Sequence, residues 1–512
     1  MHTKSLWNGF AEITDYPELE EDIEVDVAII GAGVTGVSTG NLLAQKGKRV
    51  VVLESRSVGG GTTSHSTGNL YCTIDQALAS LQSKYDTDTI RAVAESRTQA
   101  MEQIASWVNE YQLDCDYIAV PWYLYGNTEE SKDKIEQEID IARDAGLEAL
   151  EASGSEIPFP VVRAMKIQNQ GQINPMLYVQ QLARATQSER CKIYEHTPVL
   201  AAEEQKDRCV LTTTGGTVTA DYVIHATHTP KGVMMVQSLL GPYREYGIAC
   251  RTRGKNHPNG IYWGYYENEK KISTRNYERN GEHFLIVVGE PHKTGHAESN
   301  AKHIQELESF AQKYFDIQEV AFRWGGQHYR PADLLPYIGP RRQHSREYIA
   351  TGYSTDGLTY GTLAGIILSD LITGKENPWT ELYDATRKQP FKSASRFIKE
   401  NIDVAKEYLK DLRGMEEDTD LNELKAGEGE VVEKDGEKLA VYRTDEGELE
   451  VRSAVCTHMG CVVNWNDAEK SWDCPCHGSR FKVDGSVLEG PAFLPLRKVL
   501  LAGDSVEVKD EH

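Results

Sequence analysis

No apolar run in this 512-residue chain approaches the roughly 20 residues a membrane-crossing helix requires, so no membrane span is expected. Basic residues are also in deficit. With 55 Lys and Arg against 78 Asp and Glu, the formal charge is -23, and so acidic a surface repels phosphate backbones and anionic lipid. Nucleic acid is thereby excluded as a partner, leaving small molecules and proteins. The opening MHTKSLWNGFAEITDYPELEED has no basic stretch followed by an apolar one, so neither a signal nor a transit peptide is expected, and the expected location is cytoplasmic. No Ser-His-Asp set or catalytic carboxylate pair can be assembled from spacing.

The length exceeds what one hydrophobic core usually serves, so two or three domains are expected. Of nine cysteines, Cys72, Cys115, Cys191, Cys209 and Cys250 are scattered without motif spacing, which suits reduced, buried thiols. The other four are clustered near the C-terminus and need a separate explanation.

VDVAIIGAGVTGVSTGNLLAQKGKRVVVLES reads as an apolar strand, a glycine turn, a helix and a second apolar strand ending at Glu54. Gly31 permits the tight turn, Gly33 lets backbone approach a pyrophosphate, and Gly36 allows close helix packing. The helix N-terminus offers N–H groups to the anion, and Glu54 is placed to bind ribose hydroxyls. This fingerprint does not by itself separate FAD from NAD. The residues beyond Glu54 favour FAD: GGGTTSHSTGNL, with Thr62, Thr63 and His65, is a small polar stretch able to run beside a long cofactor. Further on, REYIATGYSTDGLTYGTLAG gives strand, turn at Gly352 and a second helix N-terminus at Gly357, Leu358 and Thr359.

These segments, with GQINPMLYVQQLARA, HTPVLAAE and RWGGQHYRPADLLPYIG, resemble the D-amino-acid oxidase-like superfamily of FAD-dependent amine and amino-acid oxidoreductases over residues 25 to 390. The resemblance implies an α/β, Rossmann-like FAD-binding domain of glutathione-reductase type, carrying an inserted α+β substrate domain. FAD-binding parts are expected at about 20–110, 160–240 and 325–394, and substrate-domain parts at about 111–159 and 241–324. By the same resemblance Val199 contacts FAD through its backbone, and the turn 357–359 lies against the flavin. His65 falls where some relatives, such as dimethylglycine dehydrogenases, attach FAD covalently; the plainer reading is a polar residue lining the cofactor channel.

The strand-like stretches 118–126 and 259–277 carry Trp122, Tyr123, Tyr125, Tyr262, Trp263, Tyr265 and Tyr266. Such aromatics either cage an amine cation or, more commonly, pack the core. Arg330 matches an arginine that holds the substrate carboxylate in glycine-oxidase-like relatives; a structural ion pair is its other reading.

From about residue 395 the composition changes. A charged connecting helix is expected over 395–420, then a small all-β domain over 421–512 that contains CTHMGC (456–461) and CPCHGS (474–479). Zinc would accept two Cys and two His, and thiol redox chemistry would use the cysteines alone. A Rieske 2Fe-2S centre accounts for the whole pattern, with Cys456 and Cys474 on one iron and His458 and His477 on the other. The motifs resemble the Rieske proteins of cytochrome bc-type complexes. That resemblance implies a disulfide between Cys461 and Cys476, a proline loop at GPAFLPL, and a hydrogen bond from Ser479 to a cluster sulfur. Phe481 stands where high-potential members carry tyrosine, implying an intermediate potential.

The whole chain resembles a bacterial family of FAD-dependent oxidoreductases with a C-terminal Rieske domain. FAD takes two electrons and the cluster carries one, which suggests that the enzyme oxidises the C–N bond of a small amine or amino acid and passes electrons through the cluster to an external protein, quinone or oxygen. An oxygen-using amine oxidase with a structural or regulatory cluster, and an electron-carrier flavoprotein without amine substrate, are the alternatives. No second GxGxxG provides for NAD(P)H.

Overall fold

The computed structural model describes residues 3–232, 234–253, 257–266, 270–387, 424–502 and 505–509. The connecting helix expected over 395–420 lies outside the described residues.

Ile23–Ile30 ends in four consecutive buried residues because both faces of its sheet are covered. It is central in an eight-stranded sheet, parallel to Val50–Leu53 on one side and to Thr217–His225 on the other. Beyond these lie Cys191–Tyr194 and Glu347–Thr351, also parallel. Connections therefore leave the end of the central strand in opposite directions, and a crevice opens there. Helix Val34–Gln45 closes against the strand through Gly36, where a Cβ would stand 1.9 Å from the Gly31 carbonyl oxygen. Helix Gly357–Thr373 packs on that helix in turn, its Gly361 facing Thr35 Oγ1 where a Cβ would lie 2.7 Å away.

A second, nine-stranded sheet runs in the order Ile317–Pro331, Leu240–Thr252, Glu282–Lys293, Lys270–Arg279, Ile261–Tyr266, Ile118–Gly126, Arg163–Gln172 and Asn69–Leu70, with Ala149–Glu151 pairing Arg163–Gln172. The aromatic strands expected over 118–126 and 259–277 are here. Most of their rings pack internally: Tyr123 stacks on Tyr262 at 4.7 Å, and Trp122, Tyr125 and Tyr266 are buried.

The C-terminal β-domain has a five-stranded sheet, Gly429–Lys434 to Ser505–Lys509, and a four-stranded one built from Asn464–Asn466, Ser471–Asp473, Arg480–Lys482 and Val487–Glu489. The two Cys-His motifs occupy loops beside the smaller sheet. The three parts match the expected α/β, α+β and all-β architecture.

Gly36 admits no side chain, because the clash is with backbone. Gly36→Ala is expected to destabilise the protein by about 3 kcal/mol and to yield material depleted of flavin, measured by thermal unfolding and visible absorbance.

Candidate functional site

A cavity of about 620 Å³ opens at the crevice beyond Ile30. Gly31 turns with φ +102, a conformation that excludes a Cβ here because Ala226 O would be 2.7 Å from it. Gly31, Gly33, Glu54, Thr62, Thr63, His65, Val199, Gly357 and Leu358 all line the cavity. Glu54 is fixed in its wall, Oε2 accepting from Ala32 N (2.9 Å) and Oε1 from Arg56 N (2.9 Å). Three expected residues stand behind the lining. Gly36 is the helix contact just described, Gly352 turns with φ +79 against Pro331, and Thr359 is buried in the first turn of its helix. His65 directs Nδ1 to Gly61 O (3.1 Å) and Ser64 Oγ (3.1 Å), and burial lowers its pKa.

The cysteines of the second centre divide as expected. Cys461 and Cys476 form a disulfide and are buried, whereas Cys456 and Cys474 are buried free thiols, as are the five scattered ones. Cys474 Sγ lies within 4.8 Å of both bridged sulfurs, but those cannot act as thiolates while joined. A hydrogen bond from the Cys474 thiol brings that of Cys456 down to about 7, so the two free sulfurs converge. The His458 and His477 rings are 5.0 Å apart, and burial lowers both pKa values, keeping them neutral as a metal requires.

His458 Nε2 faces two acceptors, Gly232 O (3.3 Å) and Gln237 Oε1 (3.2 Å). The Gln237 amide is oriented by donating to Pro230 O (2.8 Å) and accepting from Met234 N (3.0 Å). The His458 proton is therefore on Nε2 and the lone pair on Nδ1. His477 Nδ1 is enclosed without a hydrogen-bond partner among the described residues. Two thiols and two imidazole Nδ1 atoms left free fit a Rieske 2Fe-2S cluster.

The two centres meet across one ribbon of strands, Leu240–Thr252 and Ile317–Pro331. Tyr329 lines the large cavity, and its hydroxyl reaches His477 O (3.3 Å) and Gly490 O (3.3 Å). Gln327 donates to Gly478 O (2.7 Å). Arg244 pairs with Glu469, which also meets Arg480 at 3.3 Å. Asp467 caps helix Asn300–Tyr314 from the other side, accepting from Asn300 N (2.7 Å) and Ala301 N (3.1 Å). Glu489 and Phe493 of the β-domain complete the cavity wall.

Arg330 opens onto a smaller cavity of about 30 Å³, together with Glu245, Lys271, Asp75, Tyr71 and Trp263. Its guanidinium lies 4.2 Å from the centre of the Tyr243 ring, and its Nε is 3.1 Å from His328 Nε2. It is not in an ion pair among the described residues. Of the expected aromatics, Trp263 lines this cavity, with Lys271 Nζ 4.9 Å above its ring. Sequence reasoning missed Glu245, Gln237 and Asp467. Glu245 carried a signal, since YREYG puts two adjacent charges into the buried half of a strand; Gln237 and Asp467 act across the fold and carried none.

The model of the FAD dependent oxidoreductase family matches residues 26–371, and that of the Rieske [2Fe-2S] domain matches residues 417–499. A Rieske 2Fe-2S iron-sulfur protein of Bacillus subtilis is 31% identical over 499 residues, 97% of each chain. Gamma-glutamylputrescine oxidoreductase of Escherichia coli is 25% identical over 402 residues, covering 76% of this chain and 92% of that one. The solved structure of glycine oxidase from Geobacillus kaustophilus superposes with a TM-score of 0.59 at 21% identity, covering 71% of this chain and 99% of that one. No helix among the described residues is long and apolar enough to cross a membrane. The chain belongs to the FAD-dependent oxidoreductases of the D-amino-acid oxidase type, and it carries its own Rieske 2Fe-2S domain.

Proposed function

We propose that this enzyme oxidises a small amine or amino acid at its C–N bond and passes the electrons through its own cluster to an external acceptor. The observation that carries this reading is Tyr329, which lines the cofactor cavity and touches the loop bearing His477. FAD, when bound, accepts a hydride from the carbon next to nitrogen, and the cluster relays single electrons.

The chain's own residues have divided tasks in this reading. Gly31, Gly33 and the start of helix Val34–Gln45 receive the pyrophosphate, and Glu54 the ribose. Thr62, Thr63, His65 and Val199 line the cofactor channel, with His65 a noncovalent contact. Gly357 and Leu358 turn a helix N-terminus toward the flavin, while Gly36, Gly352 and Thr359 hold the wall in place. Arg330 takes a carboxylate. Cys456, Cys474, His458 and His477 hold the cluster under the Cys461–Cys476 bridge. The bridge is buried, which shields it from reductants and is compatible with a cytoplasmic location.

Anaerobic mixing with a panel of amines and amino acids, followed by optical and paramagnetic resonance spectroscopy, tests the scheme. Flavin bleaching with the reduced-cluster signal supports it; flavin fully reduced beside an oxidised cluster sinks it. Faster turnover with oxygen than with a one-electron acceptor would favour the oxidase alternative.

Tyr329→Phe removes a shared hydroxyl contact worth about 1 kcal/mol. The expected result in stopped flow is slower cluster reduction with an unchanged rate of flavin reduction. Ser479 Oγ accepts from Ala492 N (3.1 Å) and hydrogen-bonds the Cys456 sulfur. Such a bond to a charged sulfur is worth about 1.5 kcal/mol, or about 60 mV in a one-electron couple. Ser479→Ala should therefore lower the cluster potential by that order in a redox titration.

A further inference from the structure

Glu245 is a carboxylate with no hydrogen bond or ion pair to any described residue. It stands on Leu240–Thr252 opposite Gly326, whose missing side chain leaves space beside it. On the other edge the ladder breaks: Arg244 pairs with His292 and Tyr246 with Gly289, so Glu245 falls at a bulge in Glu282–Lys293. Bulges of this kind re-aim side chains beside active sites. Together with Thr67 and Thr355, Glu245 lines both the large cofactor cavity and the small one, so it marks the junction of the two.

Four charged groups act on it from the surrounding elements. Arg330 and Lys271 come from two strands, Asp75 from the loop after Asn69–Leu70, and Asp356 from the start of helix Gly357–Thr373. Burial dominates and raises the Glu245 pKa to about 8, while burial lowers that of Lys271. A carboxylate half-buried at the edge of two cavities and without a partner is costly unless it keeps a proton or meets a cation. Arg330 and Lys271 influence it through space but do not bond to it. The intervening cavity, about 30 Å³, holds roughly two waters. The ammonium and carboxylate groups of a small amino acid would displace those two waters, with the rest of the molecule extending into the large cavity that Glu245, Thr67 and Thr355 also line.

We propose that Glu245 receives the ammonium group of a small α-amino acid whose carboxylate is held by Arg330, and that it accepts the ammonium proton. An N–H bond breaks and an O–H bond forms on Glu245. Nitrogen is left with the lone pair that it shares with the adjacent carbon as that carbon gives up its hydride to FAD. The proton leaves Glu245 for water after product release. This inference rests on the amine-oxidation reading and adds the residue that recognises the amine.

The test uses the full FAD-loaded chain and flavin difference spectra. Glycine, alanine and proline are titrated beside the amine-free acetate, propionate and cyclopentanecarboxylate. Wild type is expected to bind each amino acid about tenfold or more above its amine-free counterpart, the discrimination of one charged hydrogen bond. Glu245→Gln should bind the amine-free acids unchanged and lose the preference, and the amino acids should then reduce the flavin at least about tenfold more slowly. A merely structural role would not remove amine discrimination while leaving carboxylate binding intact. Preference retained in Glu245→Gln overturns the proposal while leaving amine oxidation standing. If that variant does not retain FAD, Glu245→Asp decides: a weakened but persistent preference supports the assignment, and its disappearance with the charge kept overturns it. Failure of every amino acid and amine to bind or bleach wild-type flavin overturns amine oxidation, and this inference with it.

Discussion

Side chains alternate across a β-strand, and this structure turns that period of two into a partition. In the paired strands Leu240–Thr252 and Ile317–Pro331, Arg244 lies opposite Gln327 and Pro242 opposite Tyr329. These residues face the β-domain, where Gly478 fits so closely that a Cβ would lie 2.7 Å from Pro242 Cβ. The intervening residues, Tyr243, Glu245, His328 and Arg330, serve the opposite face, where Glu245 and Arg330 line the smaller cavity, while Gln327 and Tyr329 also border the larger one. A single backbone layer thus separates the smaller cavity from the loop that bears His477. A one-residue slip in this ladder would exchange the two faces and abolish both sites together.

The contacts that set the β-domain on this layer are mostly polar. Arg244, Glu469, Arg480 and Asp473 form a buried chain of alternating charge, with Asn466 bonded to Asp473 at 2.9 Å. Such a chain gains little over apolar packing, since desolvation offsets most of the attraction, yet losing one partner costs about 3–5 kcal/mol. Its effect is therefore strongest on orientation: a rotated β-domain would strand Arg244 without a counter-charge. Asp467 adds a directional constraint by completing a helix start that Ser299 leaves uncapped.

Local chemistry was legible in the sequence where a few adjacent residues define it. The turn at Gly31, Gly33 and Gly36 and the paired Cys-x-His motifs declare a phosphate turn and a metal site because backbone geometry and ligand type restrict those positions to few residues. The aromatic strands declared their secondary structure but not their role, since rings in a core and rings around a ligand have the same composition. What stayed illegible was contact between distant segments. His458 and Gln237 are 221 residues apart, and nothing in the loop around Gln237 marks it as a partner for an imidazole. Glu245 was half legible: a charge in a buried strand signals a task, but the bulge that aims it depends on the neighbouring strand.

Docking also acts on the electronics of the proposed ligand set. A donor bond from His458 Nε2–H to Gly232 O and Gln237 Oε1 leaves more electron density on the ring and strengthens Nδ1 as a ligand to the oxidised iron. This lowers the potential, whereas the Ser479 bond to the Cys456 sulfur raises it. Phe481, buried where it offers no hydroxyl, adds nothing to the second effect. The flavoprotein part and the ligand loop therefore pull the potential in opposite directions, with only the first depending on the domains being docked. A β-domain that moved away would hold its electron more tightly, so in the proposed scheme transfer from flavin and tuning for onward release both belong to the docked state.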